Sequence, residues 1–542
     1  MKYIEGIDRG QLILYPERLD DLVGDENPVR VIDAFVEMLD LGELGFKKAR
    51  LDPASAGAPC YAPGSLMKLY IYGYSNKIRS SRKLNGACGN DINAMWLMCG
   101  LRPDHWTISE FRRENAGAVK QVFKAFVRMC IEMGLYKTEV GVQDGSKFRA
   151  NNSKDNNVTV GKLEKKIEIS EEQISKYFAE LDKSDEEESH EHTKEEIEEK
   201  LAYLRENIEK YNEYMKYMKD NGISQMSFVD PESRLMKFAN GGFNVGYNVQ
   251  TVTDPESHMV GYAEVTNECS DKGLVTPVME AAKEDFGVEV IESVEDNGYD
   301  NRDDMLESLK SGTVPHVISK TAGGYEFEME YAESEITEEE VNSTKSEDIQ
   351  KCMSAGIVPK VYEGKGIDIT VEEEEECGIE EGDEEAIFRL NEEKTAVTCP
   401  NGSVLRKVAE LYGKGKTRYT SRSACRRCEE KCTTAAFRQV DLWPGQRVLQ
   451  VKKRRKVKKV RIKFKPNKEK TANRKCVAEH PFGTVKHWRD GSYMLLRGKL
   501  KVGTEVALLF LGYNLTRAVN MAGVQGLIAQ MALLYGSVTK FL

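Results

Sequence analysis

The sequence predicts an α/β protein: a mixed sheet with flanking helices, joined to an N-terminal helical region, an inserted helical hairpin and a β-containing insertion. Three observations predict it. Short apolar runs with strand-like alternation recur between residues 139 and 319, with helical patterns between them. A heptad seam interrupts them at 162–220. From 321 to about 470 the rhythm is replaced by acidic, turn-rich sequence with clustered cysteines and a basic run. These shifts divide the chain into 1–136, 137–320, 321–470 and 471–542.

The chain has 542 residues, 40% hydrophobic and 31% charged, enough for a sizeable core and several domains. No apolar run approaches the roughly 18–20 residues that span a bilayer. The start, MKYIEGIDRGQLILYPE, lacks the order of a signal peptide. A soluble cytoplasmic protein with no membrane partner is expected. Twelve cysteines over this length do not suggest a disulfide scaffold. The formal charge is −11, but its distribution matters more than its sum. Acid gathers in 184–199 and 325–393, base in 452–475.

Residues 1–136 read as helices. Val29 to Leu41 is amphipathic, and Pro63 starts a helix carrying Leu66, Met67, Leu69, Tyr70 and Tyr74. Thr107–Glu114 is another. Arg79, Arg82, Lys83, Arg112 and Arg113 suit a DNA-binding module and equally any helical domain. Glu139–Phe148 follows as a strand. Val140, Val142 and Asp144 share one parity, so Asp144 faces inward, where an acid needs a metal, a base or hydrogen bonds.

In the hairpin, Ile197, Leu201, Leu204, Ile208, Tyr211, Met215 and Met218 alternate by four and three; Ile167, Ile174, Phe178 and Leu181 form the earlier arm. Ser184–His192 is the turn between them. The arm can serve dimerisation, DNA, or only its own packing. Asn244–Val252 and His258–Val265 are strands around Asp254–Ser257; Pro277–Glu284 is a helix. Val288–Asp296 is a strand that ends in the turn Asn297-Gly298-Tyr299, which puts Asp296 at a strand's carboxyl end, where α/β sheets place ligands. Val314–Ser319 is a further short strand.

Within 321–470, Cys425, Cys428 and Cys432 form Cys-x2-Cys-x3-Cys, and Cys399 opens a Cys-Pro-Asn-Gly turn. Four thiolates can close a tetrahedral zinc shell and staple a small domain. The alternative is four reduced thiols without metal. Lys452, Lys453, Arg454 and Arg455 lead into a strand with Arg461, Lys463 and Lys465 on one face. Its density in an acidic protein favours phosphate contact over a solvated charge run. Arg474–Trp488 opens a helix carrying Glu479, with Lys486 seven residues on along the same face. Gly503–Gln530 is a helix whose apolar stripe belongs to the core.

The chemistry follows from the acids. Two magnesium ions can clamp the attacking and leaving oxygens of an in-line phosphoryl transfer, and magnesium takes carboxylate ligands. Asp144 on a first strand, Asp296 at another strand's end and Glu479 on a later helix suit that arrangement. Histidine-based catalysis has little support, because the seven histidines are scattered.

The blocks DHWTISEFRREN (104–115), DGSKFRAN (144–151), GYNVQ (246–250), VEDNGYDN around Asp296, EHPFGTVK (479–486) and YNLTRA (513–518) together resemble the DDE transposases of bacterial insertion sequences. The resemblance implies an RNase H-like catalytic domain whose metal-binding triad is Asp144, Asp296 and Glu479. It implies that Lys486 contacts DNA near the scissile phosphate, with Lys475 or Arg474 in the place of the family's arginine. It further implies an N-terminal end-binding region and double-stranded DNA partners, namely terminal inverted repeats and target. A homodimer on DNA is expected. The competing readings are an RNase H-like nuclease, a domesticated DNA-binding relic, and a zinc-ribbon interaction module.

Overall fold

The computed structural model describes residues 18–50, 60–184, 194–239, 241–317, 324–378, 387–411, 415–428, 435–450 and 453–535. The chain forms two compact units, one from 1–322 with 466–542, the other from 323–465.

The first unit begins with helices α1 (Val29–Glu37), α2 (Pro63–Ser75), α3 (Ser81–Asn90), α4 (Ile92–Leu97), α5 (His105–Glu114) and α6 (Ala116–Glu132). Pro63 sits in the first turn of α2, where its missing N–H costs nothing. Asp104 caps α5 by accepting the Thr107 N–H at 2.7 Å. Helix α2 is buried on nearly every side, as a central helix must be.

These helices belong to the same compact unit as the sheet and the C-terminal helices. α2 and α6 pack against a helix from the far end of the chain, Lys499–Ala522, which is buried almost continuously from Val502 to Leu515. Thr504 donates to the Ala116 carbonyl at 2.9 Å. Arg79, 3% exposed, pairs with the fully buried Glu505 and donates to the Tyr493 carbonyl at 2.6 Å.

The sheet of this unit is built on β1 (Val140–Arg149). The strands β2 (Arg234–Lys237), β3 (Phe243–Thr253), β4 (Val260–Thr266), β5 (Ile291–Glu295) and β6 (Thr313–Val317) complete it. β3 runs antiparallel to β1, with Asp144 opposite Thr251, and β2 and β4 both pair with β3. On its other side β1 runs parallel to β5, with Val142 opposite Val294, and β5 runs parallel to β6. The order is therefore β2-β3-β1-β5-β6, with β4 paired to β3 beside β2. Parallel strands need crossovers. The hairpin α7 (Val160–Ser184) and α8 (Lys194–Asp220) interrupts the chain between β1 and β2. Helix α9 (Val275–Phe286), ended by Gly287 in the left-handed region, leads from β4 to β5, and α10 (Arg302–Lys310) leads from β5 to β6. Ile197, Leu201, Leu204 and Met218 of the expected seam are buried. The expected turn falls mostly on 185–193, outside the described residues.

After the second unit the chain returns with α11 (Arg474–Gly483), which runs on into a wider turn, Thr484–Trp488. Lys499–Ala522 is then α12 and Val524–Tyr535 is α13.

The second unit holds two antiparallel sheets. In one, β9 (Lys453–Phe464) lies between β7 (Tyr325–Glu330) and β8 (Ile367–Gly378). The other has six short strands between Ile387 and Gln450 around Phe388, Val397, Leu405, Tyr419, Val440 and Leu442.

Candidate active site

Alternation along β1 sorts its side chains onto two faces. Val142 lies on one, packed with Val294 of β5 and with Val477 and Ala478 of α11. The same parity carries Asp144, Ser146 and Phe148 to the α11 side. Asp144 is largely buried, and that burial pushes its carboxyl up to about 6. Arg474 and the Gly145 N–H act against the rise; Asp296 and Asp271 add to it.

Asp296 follows the last residue of β5 and caps a short turn, accepting the Gly298 N–H at 2.6 Å. Arg474, the first residue of α11, joins the two acids. Its Nη2 lies 2.8 Å from Asp144 Oδ1 and 3.6 Å from Asp296 Oδ2. The structure thus brings Asp144, Asp296 and Arg474 together.

Lys486 also reaches this face. Its Nζ donates to Ser146 Oγ at 2.6 Å and to the Lys147 carbonyl at 2.8 Å, and sits 4.4 Å from the centre of the Phe148 ring. Burial, with Lys147 nearby, brings the ammonium down to about 8, against the pull of Asp144.

Glu479 is not brought in. Its carboxylate is 65% exposed and lies 4.0 Å from Lys475 one turn earlier. The reason is helical geometry: Arg474, Val477, Ala478, Pro481 and Phe482 form the buried face of α11, and Glu479 is turned roughly 100° from Ala478. Among the described residues no three His, Cys, Asp or Glu side chains stand close enough to hold a metal ion.

The opposite face of β1 holds residues that sequence reasoning missed. Asp271 accepts from Lys147 Nζ at 3.0 Å, Asn248 Nδ2 at 2.7 Å and Gln250 Nε2 at 2.9 Å. A side chain at Gly145 would collide with Gln250, and would meet Asp271 Oδ1 at 2.7 Å and the Tyr299 hydroxyl at 3.0 Å. Glycine after Asp144 is therefore a packing requirement. The signal was available: Asn248 and Gln250 alternate inward on a buried strand, and two buried amides need a polar partner. Glu295 is fully buried. Burial pushes it up to about 8, so it is mostly protonated at neutral pH.

The YNLTRA block clamps the site from behind. His480 meets the Tyr513 hydroxyl at 2.7 Å, which donates to the His258 carbonyl at 2.8 Å. Asn514 holds both the N–H and the carbonyl of Val260, and Arg517 donates to the Ser257 carbonyl. One helix thereby fixes α11 against the β3–β4 turn.

The basic strand differs from its expectation. Arg461, expected to face phosphate, lies 2.6 Å from Glu372 and 3.4 Å from Glu326, with Glu374 and Glu328 also paired to it. Lys459 reaches Glu328 at 3.7 Å and Glu374 at 3.9 Å. The cationic face of β9 is flanked by acids of β7 and β8, whose alternation places them on the same side. Lys463 and Lys465 are exposed. Lys453, Arg454 and Arg455 belong to β9, and Lys452 lies outside the described residues.

Cys399, Cys425 and Cys428 line one small cavity, and each sulfur accepts an N–H: from Ser403 at 3.2 Å, Arg438 at 3.4 Å and the Asn401 amide at 3.4 Å. They do not converge as a three-ligand metal group. Cys432 lies outside the described residues. No described helix is long and apolar enough to cross a membrane.

A family described as a transposase domain (DUF772) matches residues 17–114, and one described as a transposase DDE domain matches 398–519. No curated protein matches the chain. A solved structure, the cryo-EM structure of a piggyBac transposase synaptic complex with hairpin DNA, is similar at 9% identity and a TM-score of 0.28, over 95% of this chain and 81% of that one.

Proposed function

We propose, on the premise that the chain is a DDE transposase of the insertion-sequence kind, that it cuts the ends of a DNA element and joins the freed 3′-hydroxyl to target DNA. Asp144, Asp296 and Glu479 are the acids of the reaction, on an RNase H-like sheet. The strand order supports this reading: antiparallel strands on one side of β1, parallel strands on the other, an acid on the central strand and another just past its neighbour. The observation that carries it is the single guanidinium nitrogen of Arg474 between Asp144 and Asp296. It marks a place where the fold already accepts positive charge among hard oxygen donors, which suits magnesium.

Bound magnesium would stabilise the charge on the attacking and leaving oxygens of the phosphoryl transfer. Asp144 offers a ligand oxygen from the most constrained strand of the sheet. Asp296 offers another, steadied by the Gly298 N–H. Glu479 completes the set only by leaving Lys475 and turning toward the pair, so DNA-bound and DNA-free forms differ at α11. Lys486, anchored beside Ser146, meets a phosphate oxygen near the cut. Lys475 is exposed on α11 and contacts the backbone of the duplex. A homodimer on paired terminal repeats is part of the same reading. The expected structural zinc is not part of this reading, because Cys399, Cys425 and Cys428 do not converge on a metal position.

The outward Glu479 favours a second reading, a DNA-binding relic without cleavage. Magnesium-dependent nicking of end DNA separates the two. Glu479→Ala and Asp144→Ala should lose cleavage by at least about a thousandfold and keep end binding. Undiminished nicking by Glu479→Ala overturns the assignment.

A further inference from the structure

The geometry points to Arg474 as a stand-in cation: in the DNA-free chain it holds Asp144 and Asp296 together, and it must withdraw before a divalent ion can occupy the same position. This rests on the reading that Asp144 and Asp296 bind metal.

Two neighbouring carboxylates repel each other, and Asp144 is already penalised by burial. Arg474 relieves both effects, because one nitrogen serves both acids. The guanidinium is drawn far in: the residue is 9% exposed, and its Nε is buried with no hydrogen-bond partner among the described residues. A donor left unsatisfied costs free energy. The side chain is therefore positioned by the two acids and not by a complete set of partners of its own. Its backbone sits at the first residue of α11, after a turn at Ala472 and Asn473, and the Asn473 side chain does not cap the helix. Withdrawal takes the Arg474 side chain off the buried face that it shares with Val477 and Ala478.

A divalent ion between the same oxygens would stand against a guanidinium at contact distance. The two cations compete, and apparent metal affinity falls by the fraction of molecules in which Arg474 is out. An arginine leaving the pair offers a planar fork suited to phosphate. DNA that captures the arginine thus raises the affinity for metal, and by linkage metal raises the affinity for DNA. Arg474 acts as a positioning residue that gives up its place on loading.

Manganese alone is the probe, titrated by calorimetry into full-length protein without DNA. Arg474→Gln should bind Mn²⁺ about tenfold more tightly than the parent chain. Equal or weaker binding overturns the inference, since a merely structural arginine would lower the affinity when removed. A second measurement needs no variant. Modification of Arg474 by phenylglyoxal, read by peptide mass spectrometry, should rise severalfold when Mn²⁺ is added, and an unchanged extent also overturns the inference. Asp144→Asn and Asp296→Asn separate the two failures. If both bind Mn²⁺ like the parent, the metal-site reading itself falls. If both lose it while Arg474→Gln gains nothing, only the stand-in role falls.

Discussion

Arg474 and Arg461 each sit among carboxylates, but one does so largely buried against the sheet and the other along a ribbon. The Arg474 side chain is 10% exposed and serves two acids, one of them carried up to about 6 by burial. Arg461 is 27% exposed among four glutamates that are 32% to 52% exposed. The same pairing does different work in the two places. On the ribbon, water and salt screen the charges and any one contact is replaceable. Around Arg474 and Asp144 the charges have largely left water, and each is secure only while its partner stays. The first unit is where a change of one charge should be felt.

The largest effect is expected where burial is deepest. Arg79 lies within the packed helices, paired with Glu505 and bound to the Tyr493 carbonyl. Arg79→Ala leaves the Glu505 carboxylate buried without its ion-pair partner, with the Leu495 and Leu496 N–H groups still donating to it, and stability should drop by about 3–5 kcal/mol, measured by chemical denaturation. A loss no greater than that of a ribbon substitution would erase the contrast between the regions.

Glu295 sharpens the comparison through pH. Its folded-state carboxyl is raised to about 8, so the folded chain holds a proton that the unfolded chain releases near 4.5. Its contribution favours the fold at low pH and is lost as pH rises from about 4.5 to 8, at on the order of 1.4 kcal/mol per pH unit. Glu295→Gln removes that slope. The difference in unfolding free energy between variant and parent should move in favour of the variant across this window. A difference that stays flat would mean that Glu295 is ionised and paired in the folded chain.

What could be read beforehand was local. Parity with Val140 and Val142 put Asp144 on the side where α11 packs, and the Asn-Gly turn ended β5 beside Asp296. The helix opening at Arg474 was legible from its own pattern. What was missed is long-range. Glu372 lies opposite Lys459 and Glu373 opposite Lys458, across more than eighty residues of chain, so the basic run could not be seen to have an acidic lining. The union of α2 and α6 with α12 is hidden in the same way, because each helix alone reads as an ordinary amphipathic or apolar segment. Glu479 illustrates a third limit. Its spacing to Lys486 is visible, but which face of α11 meets the sheet depends on Val477 and Ala478 finding Val142 and Val294.

The smallest effect is expected on the ribbon, and it bears on where DNA is held. Arg461→Gln removes a cation from a cluster that keeps more acids than bases, so like charges are left closer together but still in water. The melting temperature should shift by a few degrees at most, and the shift should vanish at about 1 M salt. Because Arg461 already faces Glu372, Glu374, Glu326 and Glu328, it has little charge to offer a phosphate. The salt dependence of end binding should therefore be the same in Arg461→Gln and the parent. Lys475→Gln, altering an exposed lysine of α11, should reduce that slope by about one. Binding isotherms between 50 and 200 mM salt, the range over which phosphate contacts are most visible, decide it. A slope that falls for Arg461→Gln and holds for Lys475→Gln would move the DNA from α11 to the ribbon, and would mean that its glutamates release the strand when a phosphate arrives.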